Sequence, residues 1–366
     1  MSLTPKKTKV VIGLSGGIDS AMAASILLRE GYEVVGITMT LNDNESNTET
    51  PISSGCLGAN WHESAESAKK VCQQLNIEHY LVDLSRNFNE IVLSDFKATY
   101  LKGETPNPCV ICNKRIKFDL LPQRARELDI DFDYFATGHY ARIIRMNGLV
   151  YLAKGVDATK DQSYFLSGVD RSILPKLMFP LGEYHKKDVK KMAESLGFTD
   201  LSRKKESQDF IDVKDYDKVF ISSDVHEGDI VDLEGKLLGR HKGLVYYTIG
   251  QRKGLDISGL PEPYYVLQID QPKNRVIVGL KEQLYSSILF TNNINWLYDI
   301  DERHEFKIDA KIRFQHAPAR CSLKRVTESR YRVDFIEPQM AVTPGQTIAF
   351  YHNDILLGGG IIENSE

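Results

Sequence analysis

"VVIGLSGGIDSAMAASILL" spans residues 10–28, and its reading decides the fold of the first half of the chain. A continuous apolar run ends at Leu14. The small-residue turn Ser15-Gly16-Gly17-Ile18 follows, and Asp19-Ser20 open a segment with Ala23, Ile26 and Leu27 at helical spacing. An apolar run without alternation reads as a strand buried on both faces, the kind found in parallel sheets covered by helices. The glycines let backbone approach an anion, successive amide N–H groups form a nest, and a helix N-terminus adds positive potential. No Gly-Lys-Ser/Thr follows, so this is not a Walker loop, nor does it fit the Gly-x-Gly-x-x-Gly dinucleotide fingerprint. Without further context a glycine pair here also fits an ordinary strand-to-helix turn.

The residues around this stretch extend the pattern. "EVVGITMT" (33–40), "HYLVDL" (79–84) and "DYFATGH" (133–139) read as further strands, with helices at Asp19–Glu30 and from about Trp61 to Leu75. Buried strands alternating with helices predict an α/β doubly wound parallel sheet. Residues 41–60, "LNDNESNTETPISSGCLGAN", are polar and rich in turn formers. After about residue 205 the style changes. "GDIVDLEGKLLGRHKGLVYYTIGQRKG", "PEPYYVLQIDQPKNRVIVGL", "FKIDAKIRFQ", "RYRVDFI" and "QTIAFYHNDILLGGGII" read as strand after strand with no helix between them. That predicts a small β-rich central domain and a C-terminal β-barrel, with divisions at 1–210, 211–280 and 281–366.

Composition narrows the class. The 366 residues are 42% hydrophobic and 26% charged, the balance of a globular chain with a substantial core. No apolar run approaches the roughly 18–20 residues a membrane span needs. The N-terminal "VVIGL" reads as a first strand rather than a signal peptide. A net charge of −4 argues against indiscriminate polyanion binding. Five cysteines (Cys56, Cys72, Cys109, Cys112 and Cys321) are too few and too odd in number for a disulfide framework, which points to a reducing cytoplasm.

Ser-Gly-Gly-x-Asp-Ser resembles the pyrophosphate loop of ATP pyrophosphatases, which adenylate a substrate oxygen and release pyrophosphate. Further motifs follow in order: "TPNPCVICNKRIKF" (105–118), "ATGHYARI" (136–143), "KDQSYFL" (160–166), "FPLGEYHKKDVKKMAESLGF" (179–198), "GLVYYTIGQRKGL" (243–255), "PEPYYVLQID" (261–270), "FQHAPARC" (314–321) and "EPQMAVTPGQTIAFY" (337–351). Together they resemble the tRNA-specific 2-thiouridylase family, from about residue 8 to the last glycines. The resemblance implies a nucleotide-hydrolase-like N-terminal domain, a small central domain and a barrel that grips tRNA. It implies ATP and Mg2+ at Gly13, Leu14, Ser15, Gly16, Gly17, Ile18, Asp19 and Ser20, with Met39 and Gly138 beside them; Asp19 would help place the metal. The partners it implies are a tRNA with a wobble uridine (Lys, Glu or Gln type) and a sulfur donor, with no membrane.

Cys109 and Cys112 are locally ambiguous, because two thiols three apart suit a metal, a disulfide or a nucleophile. The family resemblance makes Cys112 the nucleophile, and places Asn107, Pro108 and Cys109 against a flipped base. Its tRNA contacts carry over to His139, Lys160, Asp161, Gln162, Arg313, Phe314 and Gln346. The basic runs at 185–187 and 203–205 read as solvated faces or phosphate contacts. One departure stands out. Where the family has a second cysteine, "KESQDFIDV" (205–213) has Ile211. Cys109 or Cys56 could replace the missing thiol, or an outside donor could supply sulfide or persulfide. No second Cys/His pair at zinc spacing is present, and an iron–sulfur cluster is the less favoured alternative. Cys72, at apolar spacing with Ala65 and Ala68, reads as core, and Cys321 as a structural barrel residue. Two other readings remain: an ATP pyrophosphatase that amidates a small molecule, and a tRNA-binding protein that no longer thiolates.

Overall fold

Lys9–Gly13 forms β1, Glu33–Thr40 β2, Glu78–Asp83 β3 and Tyr134–Thr137 β4. Ala141–Met146 and Leu149–Lys154 are the antiparallel pair β5 and β6, and Leu177–Met178 is β7. The computed structural model describes residues 7–41, 61–203, 210–211, 215–220, 224–259, 262–300 and 306–363. The chain packs as two compact units. One comprises Met1–Asn89, Cys109–Ile211 and Asp354–Leu356; the other comprises Glu90–Pro108, Asp212–Asn353 and Leu357–Glu366.

The first unit is built on a parallel sheet with strand order β3-β2-β1-β4-β7. Val10, Val11 and Ile12 are fully buried at its centre, as the unbroken apolar run predicts. The helix α1 (Ile18–Arg29) buries Ala21, Met22, Ala24, Ile26 and Leu27. A second helix, α2 (Trp61–Leu75), buries Ala65, Ala68, Val71 and Cys72, one stripe of an amphipathic helix. Both lie within a residue of their expected bounds. The chain runs outward from β1 through β2 and β3, then returns to the other side of β1 as β4. That reversal leaves a crevice at the carboxyl ends of β1 and β4, where open α/β sheets bind ligands.

The second unit holds two β structures. β8 (Gly228–Val231), β9 (Leu237–His241), β10 (Tyr265–Asp270) and β11 (Arg275–Gly279) form a sheet ordered β10-β11-β8-β9 around Ile230, Val266, Val276 and Val278. β12 (Tyr285–Trp296), β13 (Phe306–Lys311), β14 (Ala319–Arg325), β15 (Arg330–Met340), β16 (Thr347–His352) and β17 (Ile355–Ile362) run in the order β12-β15-β14-β13-β16-β17. Pairing of β12 with β17 closes them into a six-stranded barrel, which removes the sheet edges. Leu289, Leu323, Val333, Ile348 and Phe350 fill its core.

The expected strand at "GLVYYTIGQRKG" is not formed. Leu244–Tyr246 is a 3-10 turn, and Gly243, Gly250 and Gly254 take φ of +145°, +87° and +72°, which breaks any extended run. Tyr247 points into the sheet's core from this loop, so its burial mimics a strand's alternation. A four-residue helix, Tyr216–Val219, also precedes β8. Among the described residues, no helix is long and apolar enough to cross a membrane.

Candidate active site

The loop after β1 is tied to itself and to its neighbours. Leu14 N–H continues the sheet by donating to Ile37 O at 2.8 Å. The chain then turns so that Ser15 N–H reaches Ser20 Oγ at 3.2 Å, and Ser20 Oγ–H donates to Gly17 O at 3.0 Å. Gly16 has φ of +72°, and a Cβ there would stand 2.3 Å from Ser64 O on α2. From the same helix Ser67 Oγ donates to Gly16 O at 2.8 Å. Gly138, immediately after β4, is equally constrained, since its Cβ would lie 2.7 Å from Ser20 N. Only glycine lets the end of β4 approach the first turn of α1 this closely. Ser15 is exposed, Gly17 half-buried and Ser20 buried. Met39 lies half-buried one residue before the end of β2.

Asp19, in the first turn of α1, is held by two side chains that sequence reading missed. Lys186 Nζ donates to both carboxylate oxygens, at 2.7 and 2.8 Å, and Tyr140 Oη–H donates to Oδ1 at 2.9 Å. The expectation that residues 185–187 form a solvated basic face is therefore corrected at Lys186, which is 5% exposed. It opens the helix α3 (Lys186–Ser195), and its backbone N–H donates to Asp157 Oδ2 at 2.9 Å. The Thr159 hydroxyl, with help from the Lys186 amide, holds the Asp157 carboxyl below its ordinary range. Of the other basic run, residues 204–205 lie outside the described residues.

The expected tRNA-contact residues of this unit cluster around Tyr140. Gln162 Oε1 accepts from Tyr140 N–H at 2.9 Å, while Gln162 N–H donates to Tyr140 O at 2.9 Å. Asp161 is 7% exposed and accepts from Gly155 N–H, Ser163 N–H and Ser163 Oγ–H at 3.1, 3.1 and 2.9 Å. Its carboxylate thus organises its own loop, with Lys160 half-buried beside it. His139 Nδ1 lies 2.7 Å from Thr137 Oγ1, and its ring centre is 5.7 Å from Phe118 and 6.1 Å from Phe179. Burial among these rings, then the Lys117 charge, pushes the imidazole well below its ordinary pKa, so it is neutral at pH 7.

The cysteine segment begins in the second unit. Thr105 N–H donates to Pro344 O at 2.9 Å, and Gln346 Nε2 donates to Thr105 O and Pro106 O at 3.2 and 2.7 Å. Gln346, expected at the tRNA, therefore holds the residues just before Asn107 and Pro108. Arg313 Nη2 donates to Ile249 O at 2.8 Å and also to Thr343 Oγ1. Phe314 is 36% exposed beneath the Lys311 ammonium. The segment continues as a helical turn, Pro108–Ile111, which passes into the first unit at Cys109, then as a π-helical run, Cys112–Leu120. Such widened turns occur preferentially at functional sites. Cys112 opens that run and is 8% exposed, whereas Cys109 is half-buried. Next to Cys112, Asn113 is 2% exposed and donates to Phe165 O at 3.1 Å, which anchors the start of the run.

Ile211 is 6% exposed, and its neighbour Phe210 stacks on Phe88 at 6.0 Å. Cys56 lies outside the described residues. Among the described residues, no group of three His, Cys, Asp or Glu side chains could hold a metal ion. Burial pushes the Cys72 and Cys321 thiols up to about 12, which makes both unreactive.

A glycine-containing loop at the switch point of a parallel sheet, on a chain that also carries a cysteine-bearing π-helical run and a closed β-barrel, defines the class: an open α/β domain of the HUP type with appended β structures. Three family models match in succession: a tRNA methyl transferase HUP domain at residues 8–215, a tRNA methyl transferase PRC-barrel domain at 218–280, and an aminomethyltransferase beta-barrel domain at 286–362. The tRNA-specific 2-thiouridylase MnmA of Endomicrobium trichonymphae is 41% identical over 358 residues, covering 97% of this chain and 98% of the relative. That of Clostridium kluyveri is 39% identical over 361 residues (97% and 99%), and that of Carboxydothermus hydrogenoformans 38% over 364 (98% and 98%). The chain belongs to the tRNA-specific 2-thiouridylase family.

Proposed function

We propose that this protein is an ATP-dependent tRNA sulfurtransferase that converts the wobble uridine, position 34, to 2-thiouridine in the cytoplasm. The observation that carries the reading is the loop Ser15–Ser20, held at the carboxyl ends of β1 and β4 by bonds that leave Ser15 exposed. The matching models carry methyl transfer in their descriptions, whereas the relatives are named thiouridylases. A chain whose candidate nucleophile is a thiol fits the second.

In this reading residues 1–210 are the catalytic domain, 211–280 a small central domain, and 281–366 the barrel that grips tRNA. The loop residues Gly13 to Ser20 take the phosphates of ATP through backbone N–H groups and the Ser15 hydroxyl, with Met39 and Gly138 bordering the nucleotide. Asp19 is the carboxylate available for Mg2+, and its side chain is 32% exposed beside its lysine partner. ATP is a substrate. The uridine C2 oxygen displaces pyrophosphate from it, which turns a poor leaving group into AMP. A sulfur on Cys112 then attacks C2 and AMP departs. Asn107, Pro108 and Cys109 border the extruded base. The resemblance assigns tRNA contacts to His139, Lys160, Asp161 and Gln162 in the first unit and to Arg313, Phe314 and Gln346 in the second.

The sulfur comes from an outside persulfide donor, which passes its outer sulfur to the Cys112 thiolate and leaves as a thiol; with isoleucine at 211, Cys109 or Cys56 supplies the second thiol. With a Cys112 persulfide, the terminal sulfur bonds to C2 and the Cys109 thiolate takes up Cys112 Sγ. The pair is left as a disulfide that an external dithiol reduces. The buried Ile211 also supports a second reading, a tRNA-binding protein without thiolation, but the intact phosphate loop speaks against it.

The test is incubation with ATP, Mg2+, a persulfide donor and tRNA of the Lys, Glu or Gln type, followed by nuclease digestion and mass detection of 2-thiouridine. Product from the unaltered chain and none from Cys112→Ser is expected. Unchanged product from Cys109→Ser in the absence of an added dithiol would remove the internal relay. Tight tRNA binding with no product from any donor would establish the binding-only reading.

A further inference from the structure

We infer that Lys186 is a positioning residue of the nucleotide site: it compensates the charge of Asp19 so that a polyphosphate can occupy the loop after β1. The inference rests on the nucleotide reading above and assigns a residue that reading does not include.

The starting point is an electrostatic conflict within the loop. The amides of residues 15–17 and the N-terminus of α1 favour an anion, yet Asp19 places a carboxylate in the same first turn. A carboxylate there suits the helix dipole but repels a polyphosphate a few ångströms away, and repulsion of that kind is strong where water is excluded. Lys186 answers the conflict. Its ammonium contacts both Asp19 oxygens, at 2.7 and 2.8 Å, so the turn presents no uncompensated negative charge.

The lysine is fixed from two further directions. Its backbone N–H is held by Asp157 at 2.9 Å, and its Nζ stands 5.6 Å from the centre of the Tyr140 ring. Tyr140 in turn donates to Asp19 Oδ1 and is fixed through its backbone by Gln162. Side chains 121 and 167 residues downstream of Asp19 thus converge on its carboxylate. A buried ion pair is weak support for stability, because desolvation offsets much of the attraction. The pair is also lopsided: the Lys186 side chain is 7% exposed and that of Asp19 is 32% exposed. A purely structural pair has no need to keep its acid open to solvent on the side of an anion-binding loop. One that tunes a ligand site does.

The experiment measures ATP binding to the full chain by calorimetry in the presence of EDTA, which removes any role of Asp19 in holding metal. Four proteins are compared: unaltered, Lys186→Met, Asp19→Asn and the double variant, with Lys186→Arg as the conservative control and circular dichroism to confirm folding. Lys186→Met is expected to weaken ATP binding roughly tenfold or more by leaving Asp19 uncompensated. Adding Asp19→Asn to it is expected to restore most of that loss, and Lys186→Arg to retain most of the affinity. Should Lys186→Met misfold, Lys186→Gln, which keeps a donor to Asp19 without the charge, takes its place and is expected to show the same loss. A folded Lys186→Met chain that binds ATP like the unaltered one overturns the inference, as does a folded double variant that binds no better than Lys186→Met. Absence of ATP binding by the unaltered chain would overturn the nucleotide reading itself, and this inference with it.

Discussion

The phosphate loop and the cysteine segment bring their residues into place in different ways. Residues 13–20 are held from within the first unit, by short bonds from Ser15 to Ser20 and Ser20 to Gly17 and by Ser67, Tyr140 and Lys186, which are 51, 121 and 167 residues from their partners. The approach to the cysteines depends on partners far along the chain: Thr105 and Pro106 are held by Pro344 and Gln346, some 240 residues later. A loop with no partner bond from residues 344–346 should keep its shape when Gln346 is changed, whereas Thr105 and Pro106 should not. The two regions should therefore respond to substitution in separable ways.

The largest expected effect is chemical. Cys112→Ser should abolish 2-thiouridine formation while ATP binding, measured by calorimetry, stays as in the unaltered chain. Loss of ATP binding would break the separation. Gly16→Ala should strike the other region. The new methyl would meet Ser64 O with backbone at φ of +72°, so a destabilisation of roughly 2–4 kcal/mol in urea titration and loss of ATP binding are expected. Gln346→Ala removes two donor bonds to carbonyls of the cysteine approach, at about 0.5–1.5 kcal/mol each. It should lower the thiolation rate and leave ATP affinity unchanged, a split that a general loss of stability would not produce.

The smallest effects lie in the pH dependence of stability. His139 is held neutral, well below the ordinary 6.5, so below that pH the unfolded chain takes up a proton that the folded chain refuses. Stability therefore falls as pH drops from about 6.5. His79, His241 and His316, also lowered by burial, share this slope, and His139→Phe should reduce it in thermal melts at pH 5 and 7. Asp157 acts lower on the scale. Its carboxyl is depressed, so its contribution is complete above the ordinary 3.8 and is lost as pH falls through the folded value. Asp157→Asn should flatten that acid limb.

How much of this was legible follows the same division between local and remote. Val10–Ile12, the helix Trp61–Leu75 and the inward Cys72 could be read because burial on a strand or helix follows a short period. Lys186 could not. It sits in "HKKDVKK", which looks like any solvated helix start, and its burial depends on Asp157 and Asp19, 29 and 167 residues away. Likewise the family resemblance places Gln346 at tRNA, and only tertiary structure turns it toward Thr105 and Pro106. Tyr246 and Tyr247 misled in the opposite direction, because aromatic residues on a glycine-punctuated loop look like a strand. The π-helical run at Cys112–Leu120 has no sequence signature beyond ordinary helix formers.

In the proposed reaction the loop after β1 and Cys112 serve two successive halves, which the Cys112→Ser chain separates. With ATP, Mg2+ and wobble-uridine tRNA, that variant should release pyrophosphate in a tRNA-dependent burst and form no 2-thiouridine, while the unaltered chain with a persulfide donor does both. Thiolation by Cys112→Ser, or the absence of tRNA-dependent pyrophosphate release from the unaltered chain, would rule out that division of the reaction.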